Sequence, residues 1–248
     1  ACHGAKGNGK GVSHKGMKVP PRDFTQGIYK FGKVQTGQLP HDKHFYEILR
    51  EGLHGTAMLP WDLSEQEMFN VVQYIKTFAP ETWEGKDKKL GDEIKVVKDP
   101  YGMAHKKSAI ERGKKVYHAV ANCQSCHQGY VTKQEFSEIN QEVNGFAVEE
   151  LAPNFYQSKP QFSDYGYKTI PPDFTWGEVR SADNVKELYV RLAAGIGGTA
   201  MPSWKGVLSD ADIWAVSYYV KSLMELKDTP EREALMRKLR QQKKVGQK

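Results

Sequence analysis

The sequence predicts an all-α chain made of two like domains in tandem, and three observations carry that prediction. The first is an internal repeat: Pro20-Pro21-Arg22-Asp23-Phe24-Thr25 recurs as Pro171-Pro172-Asp173-Phe174-Thr175, and Gly55-Thr56-Ala57-Met58 recurs as Gly198-Thr199-Ala200-Met201. The second is a shared order of residues after each Met: Trp61 and Trp204 stand three places beyond it, and each precedes Leu-Ser and an amphipathic run, Leu63 to Phe78 and Leu208 to Leu223. The third is periodicity, since apolar residues recur at helical spacing and no run alternates as a strand would. With 248 residues and 39% hydrophobic content, length alone leaves one large or two small domains open. The repeat decides for two, at 1–80 and 104–226, joined by a linker at 81–103 and followed by a basic tail at 227–248.

Each element has its own signal. Phe45, Ile48, Leu49 and Leu53 mark a helix before Met58. Ser64 with Glu67 three residues on is a capping box, and Met68, Val71, Val72, Ile75 and Phe78 keep the helical period beyond it. The stretch from Ala79 to Pro100 has Pro at each end and is rich in Lys, Asp, Glu and Gly, as a linker is. Ser108 to Ala121 comes next as a helix with Ile110, Gly113, Val116, Tyr117 and Val120 on one face. The polar stretch Tyr130 to Tyr167 reads as a long loop or a small added element. It holds most of the difference between His3 to Met58, 55 positions, and His127 to Met201, 74 positions. Leu188, Leu192 and Ile196 mark the second pre-Met helix, and Asp212, Ile213, Val216, Tyr219, Val220 and Leu223 the second closing helix.

The chemistry lies in Cys, His and Met. Cys123-Gln124-Ser125-Cys126-His127 has the C-x-x-C-H form, two thiols spaced for both vinyl groups of one haem with the next His turned to the iron. A zinc site would need two more ligands at similar spacing, and the chain has no second C-x-x-C. Cys2-His3-Gly4 is weak alone, but in the frame of the repeat it is the end of a second such motif. Met58 and Met201, in the same four-residue motif downstream of each His, are the candidate sixth ligands. A thioether opposite imidazole favours ferrous iron and raises the reduction potential. The candidate iron ligands are therefore His3 with Met58 and His127 with Met201, and the thioether residues are Cys2, Cys123 and Cys126. Pro20 or Pro21, and Pro172 or Pro153, are candidates to offer a carbonyl to the far nitrogen of His3 and His127. His14, His41, His44, His54, His105 and His118 read as exposed or helix-surface residues.

Together, C-x-x-C-H, a Pro loop, Gly-Thr-Ala-Met-Pro and a closing aromatic-rich helix resemble the class I cytochromes c, here as two tandem class I cytochrome c-like haem domains. Met58 departs slightly, being followed by Leu59-Pro60 rather than directly by Pro. The resemblance implies two covalently bound haem c groups, small helical domains with one haem edge exposed, and electron transfer between a redox protein donor and acceptor rather than catalysis. The alternatives are an electron-transfer subunit of a larger respiratory oxidoreductase and, less favoured, a dihaem enzyme of the peroxidase or thiosulfate-oxidising type. Such an enzyme needs an open iron position, against which the equivalent Mets argue. Haem attachment to cysteine takes place outside the cytoplasm, so a periplasm or equivalent lumen is the expected compartment. In the resembled family a helix precedes the haem motif and crosses the closing helix. The first domain shows none before Ala1, so the sequence is expected to extend upstream by roughly 15 to 25 residues, the other haem-linking Cys included.

No stretch approaches the ~18 apolar residues that span a bilayer. The formal charge of +6 is concentrated in Lys227 to Lys248, where eight Lys or Arg face three Asp or Glu, so it does not point to a nucleic-acid partner. Leu235, Met236 and Leu239 among Arg232, Arg237, Lys238 and Arg240 offer an amphipathic helix for an acidic partner or anionic lipid, but the simpler reading, a frayed, solvated terminus, is the one favoured.

Overall fold

Ser64 and its counterpart Ser209 start the two closing helices in the same way. The Ser64 hydroxyl accepts from the Glu67 amide while the Glu67 carboxylate accepts from the Ser64 amide, and the Ser209 hydroxyl accepts from the Asp212 amide. Each such cap stabilises its helix by about 1 kcal/mol. The computed structural model describes residues 1–85 and 89–245. In the first copy of the repeat, α1 (Asp42–Glu51) lies on α2 (Glu65–Lys76), and Phe45, Leu49, Met68 and Val72 form their shared core. A short α3 (Pro80–Glu84) opens the connecting segment. The second copy holds α4 (Lys106–Lys115), α5 (Lys133–Asn144), a hairpin of β1 (Gln161–Phe162) and β2 (Lys168–Thr169), α6 (Val185–Ala194) and α7 (Asp210–Met224), followed by α8 (Pro230–Val245). The molecule is mostly helical, as expected, but the stretch Tyr130 to Tyr167 is not merely loop. A Thr132–Glu135 capping box starts α5 there, and the two-residue strands, too short to show alternation, close the hairpin.

α7 is the spine of the second copy. Trp214 stacks on Tyr189 of α6 at 4.6 Å, and Gly113 of α4 presses against Ala215 on the side facing α4. The expected helix over 108–121 runs as α4 to Lys115 and then as a wider turn, Val116–Val120, with i→i+5 geometry. That turn buries His118, a correction to its reading as a surface residue. Its Nδ1–H donates to the Lys114 carbonyl at 2.8 Å and its Nε2 accepts from the Tyr130 amide at 3.2 Å. His44 is buried too, its Nε2 2.9 Å from the Glu93 carboxylate. His54 and His105 are exposed, and His14 and His41 half-buried.

The bond that Nε2 accepts requires the neutral ring, and burial lowers the pKa of His118 from 6.5 to about 4. Since the unfolded chain binds this proton more readily, stability is complete above about pH 6.5 and is lost as pH falls toward 4, by about 3 kcal/mol in all. Urea unfolding at pH 7.5 and 4.5 is expected to show that slope in the parent and a flatter one in His118→Gln. Equal slopes would remove His118 as the cause.

The copies differ in what covers the closing helix. Trp214 and Tyr219 of α7 are each 5% exposed, whereas their counterparts Phe69 and Tyr74 on α2 are 47% and 59% exposed. The connecting segment touches both copies: the Gly91 and Ile94 amides donate to the Leu39 and Lys33 carbonyls, and Ile94, Val96 and Val97 lie on the second core. The described part of the tail is helical and packed rather than frayed. Leu239 is buried, Leu235 and Met236 join the second core, and Lys238 reaches Glu135 at 3.0 Å. Leu235 and Met236 thereby pack on this chain's own second core, and Leu239 is buried on the same helix.

Candidate functional site

The C-x-x-C-H segment closes as a single turn, Cys123–Ser125, in which the Cys126 and His127 amides both donate to the Cys123 carbonyl at 3.1 and 2.9 Å. Burial pushes the Cys123 thiol up to about 12, which disfavours a thiolate and suits a sulfur taken into a neutral thioether. Cys2, Cys123 and Cys126 are all free and half-buried. Among the described residues no three His, Cys, Asp or Glu side chains converge as a tetrahedral zinc site requires.

Both histidines sit in the same setting. The His127 ring stacks on Phe174 at 4.7 Å and 22°, and the His3 ring on Phe24 at 4.5 Å and 24°. Each Nδ1–H donates to a backbone carbonyl, His127 to Pro172 at 3.3 Å and His3 to Arg22 at 3.0 Å. Pro172 was one of the expected acceptors, and Pro153 is not used. For His3 the expectation of Pro20 or Pro21 is corrected to Arg22. In both copies the acceptor is the residue directly before Asp-Phe-Thr, and the first copy has one residue more there. Burial lowers the pKa of His127 to about 4 and that of His3 in the same direction, so both rings are neutral with Nδ1 protonated. The tautomer leaves each Nε2 lone pair as the donor to a metal.

The Asp-Phe-Thr motif serves that stacking. Asp23 accepts from the Thr25 amide and hydroxyl at 2.9 and 2.6 Å, and Asp173 from those of Thr175 at 2.9 Å each, which locks the turn carrying the Phe. The Met turns are equally alike. α1 and α6 end at Gly52 and Gly195, both at φ 72° with ψ near −166°, a conformation only glycine adopts without strain. The Thr56 hydroxyl then donates to the Leu53 carbonyl and accepts from the Met58 amide (2.7 and 3.1 Å), while Thr199 bridges Ile196 and Met201 (2.8 and 3.2 Å). Met201 lies against the cluster that holds Cys123, Phe174 and Trp204. Met58 packs, as Tyr29 does, against the cluster of Phe45, Leu49, Met68 and Val72, and Tyr29 is the ring next to Phe24. The roles of these Asp, Phe and Thr residues were not assigned from sequence, although their recurrence in the repeat marked them.

Each Met turn is bonded to the other copy's segment after Asp-Phe-Thr. The Gly197 amide donates to the Lys30 carbonyl at 3.2 Å, and the Ser181 amide to the His54 carbonyl at 3.0 Å. Arg191, over the Phe31 ring at 4.5 Å, bonds Ser181 through one nitrogen, while its buried Nε and Nη1 have no partner in the protein. Neither has the buried Nε1 of Trp204, three residues after Met201. Buried donors require an acceptor, and a haem brings two propionate carboxylates, so this donor set fits haem c.

A family model described as cytochrome c oxidase, cbb3-type, subunit III matches residues 108–220. No curated protein matches the chain. Among solved structures, a chain of the Kuenenia stuttgartiensis reducing HAO-like protein complex Kustc0457/Kustc0458 is 30% identical, with 90% of each chain covered and a TM-score of 0.69.

Proposed function

Because the chain belongs to the c-type cytochromes, we propose that it is a dihaem electron-transfer protein with one haem in each of two tandem domains. Haem c, when bound, supplies a one-electron ferric–ferrous couple. Cys123 and Cys126 hold one group and Cys2 takes part in holding the other. His127 with Met201 would hold the iron of the one, and His3 with Met58 that of the other. The observation that carries this reading is the recurrence, in both copies, of the ring-on-Phe stack, the carbonyl on Nδ1 and the Thr-bridged Met turn. With a His and a Met given to each iron, the residues' work would be to orient the imidazole, keep water away and set the potential, which is a carrier's work rather than an enzyme's. No helix among the described residues is long and apolar enough to cross a membrane, and the extracytoplasmic setting usual for these proteins makes a periplasm the proposed compartment.

The likeness to a chain of a two-component complex favours a second reading, an electron-transfer subunit bound to a redox enzyme. Haem analysis of the purified protein together with a redox titration tests the first reading. Two low-spin haems titrating in one-electron steps are expected, and one haem per chain or a resting high-spin iron would overturn it. Native mass after purification from the source separates free carrier from subunit.

A further inference from the structure

The hairpin of β1 and β2 belongs to the second copy, but its tip lies between the two copies. The Ser163 amide donates to the Tyr167 carbonyl at 3.2 Å and the Gly166 amide to the Ser163 carbonyl at 3.1 Å, which folds the loop with Tyr165 at its end. Tyr165 is buried and is held from both sides. On the second copy's side its hydroxyl donates to the Gly197 carbonyl at 2.7 Å, and the neighbouring Asp164 amide donates to the Gly198 carbonyl at 3.0 Å, both in the turn that leads to Met201. Gly198 has φ 70°, and a Cβ there would stand 2.6 Å from the hydroxyl end of the ring, so the turn admits Tyr165 only with glycine in that place. On the first copy's side the Arg22 guanidinium lies 4.1 Å and the Lys30 ammonium 5.0 Å from the ring centre. The Arg22 carbonyl is the acceptor for His3 Nδ1–H, and the Lys30 carbonyl is the acceptor for the Gly197 amide. Burial pushes the Tyr165 phenol up to about 12, so it stays a neutral donor. The first copy's Met turn has no such ring, since Gly55, at the place of Gly198, faces the Glu178 side chain.

We propose that Tyr165 is a positioning residue for electron exchange between the two haems: it clamps the His3 side of the first copy to the Met201 turn of the second and so fixes the gap that the electron crosses. The proposal rests on the dihaem electron-transfer reading. One electron leaves the ferrous iron of one copy and reduces the ferric iron of the other, with no bond made or broken and no proton moved. Transfer between held groups is sensitive to misplacement on the order of 1 Å. A hydrogen bond to a carbonyl and two cations over one buried ring resist such a shift.

Proton NMR of the half-reduced protein measures electron exchange between the haems through their methyl signals. Hydrogen exchange of the Gly197 and Ser181 amides, which bond the Lys30 and His54 carbonyls across the copies, measures how often the copies part. The parent is compared with Tyr165→Leu, with Tyr165→Phe, and with Phe162→Ala, whose ring is exposed on the same hairpin. Tyr165→Leu is expected to slow electron exchange about tenfold and to speed exchange of both amides about tenfold. Tyr165→Phe keeps the ring against Arg22 and is expected to recover part of both, and Phe162→Ala to match the parent. Unchanged haem absorption spectra and potentials in each variant show that the two sites themselves are intact. Electron exchange as fast in Tyr165→Leu as in the parent would overturn the proposal, as would an equal loss in Phe162→Ala. So would slower electron exchange with the amides still protected, which would make the ring a conductor and not a clamp. Failure of the dihaem reading is distinguishable, since it appears in the haem count, while the amides report on the clamp without it.

Discussion

Replacing Met201 with Ala is expected to leave the iron of the second domain five-coordinate or water-ligated while the iron of the first domain is untouched. The turn that carries Met201 is held by main-chain and Thr199 bonds: the Met201 amide donates to the Thr199 hydroxyl at 3.2 Å and its carbonyl accepts from the Ile196 amide at 3.2 Å. None of these uses the thioether, so the loop keeps its shape when the side chain is cut back. On the proposed ligation, what disappears is the soft sulfur donor that would stabilise ferrous iron. The potential of that haem is expected to fall by about 0.1–0.2 V, a fraction of the ~0.8 V that axial ligands span. Cyanide or carbon monoxide is expected to bind about one iron per chain, and half of the Met-to-iron charge-transfer band to vanish. Met201→Leu, which keeps the volume at a cost below about 1.5 kcal/mol, separates ligation from packing and is expected to behave as Ala does. A second-domain spectrum and potential unchanged in both variants would remove Met201 as a ligand.

The candidate site was legible because its chemistry is local and doubled. A C-x-x-C-H segment is read without knowing the fold, and the repeat turns the dipeptide Cys2-His3 and the otherwise ordinary Met58 and Met201 into a pattern. The helices were legible for the same local reason, since capping residues and a 3.6-residue period need no tertiary partner to be seen. Features that depended on distant contacts were not. Nothing in the order Tyr117-His118-Ala119 says that a wide turn faces His118 inward or that the Tyr130 amide, twelve residues on, supplies its second bond. The acceptor for His3 shifted to Arg22 because a backbone carbonyl is chosen by the turn and not by residue type. The tail misled through its charge. Eight basic residues suggest a solvated end, yet Leu239 alone, at the right place on α8, is buried, and Glu135 of α5 answers Lys238. The bonding of each Met turn to the other copy had no signal in the sequence either, because it consists of main-chain bonds between segments more than a hundred residues apart.

Gly113→Val is expected to be strongly damaging to the scaffold of the second copy. Gly113 lies where α4 crosses α7, and a Cβ there would stand 2.0 Å from the Ala215 carbonyl oxygen and 2.7 Å from the Tyr219 Cβ. The obstacle is main chain, which no rotamer change can move aside. α7 cannot retreat, since its far side is occupied by α6 through the Tyr189–Trp214 stack. The helices must therefore separate. That draws Arg112 away from Asp212, whose carboxylate it holds in a fork of 2.6 and 3.0 Å, and opens the core around Tyr117 and Tyr219. Helix propensity works the other way, because any residue with a side chain favours the helix over glycine by up to about 1 kcal/mol. Overpacking costs about 1–3 kcal/mol where side chains can yield and more where they cannot, so the loss outweighs that gain. Net destabilisation of about 3 kcal/mol is expected for Val, and a smaller loss, still of the same sign, for Gly113→Ala. Urea unfolding followed by far-ultraviolet circular dichroism measures both, with Gly16→Ala as the control because nothing lies within 4 Å of the added carbon. A Gly113→Ala protein as stable as the parent, or more so, would show that α4 and α7 leave room for a side chain where they cross.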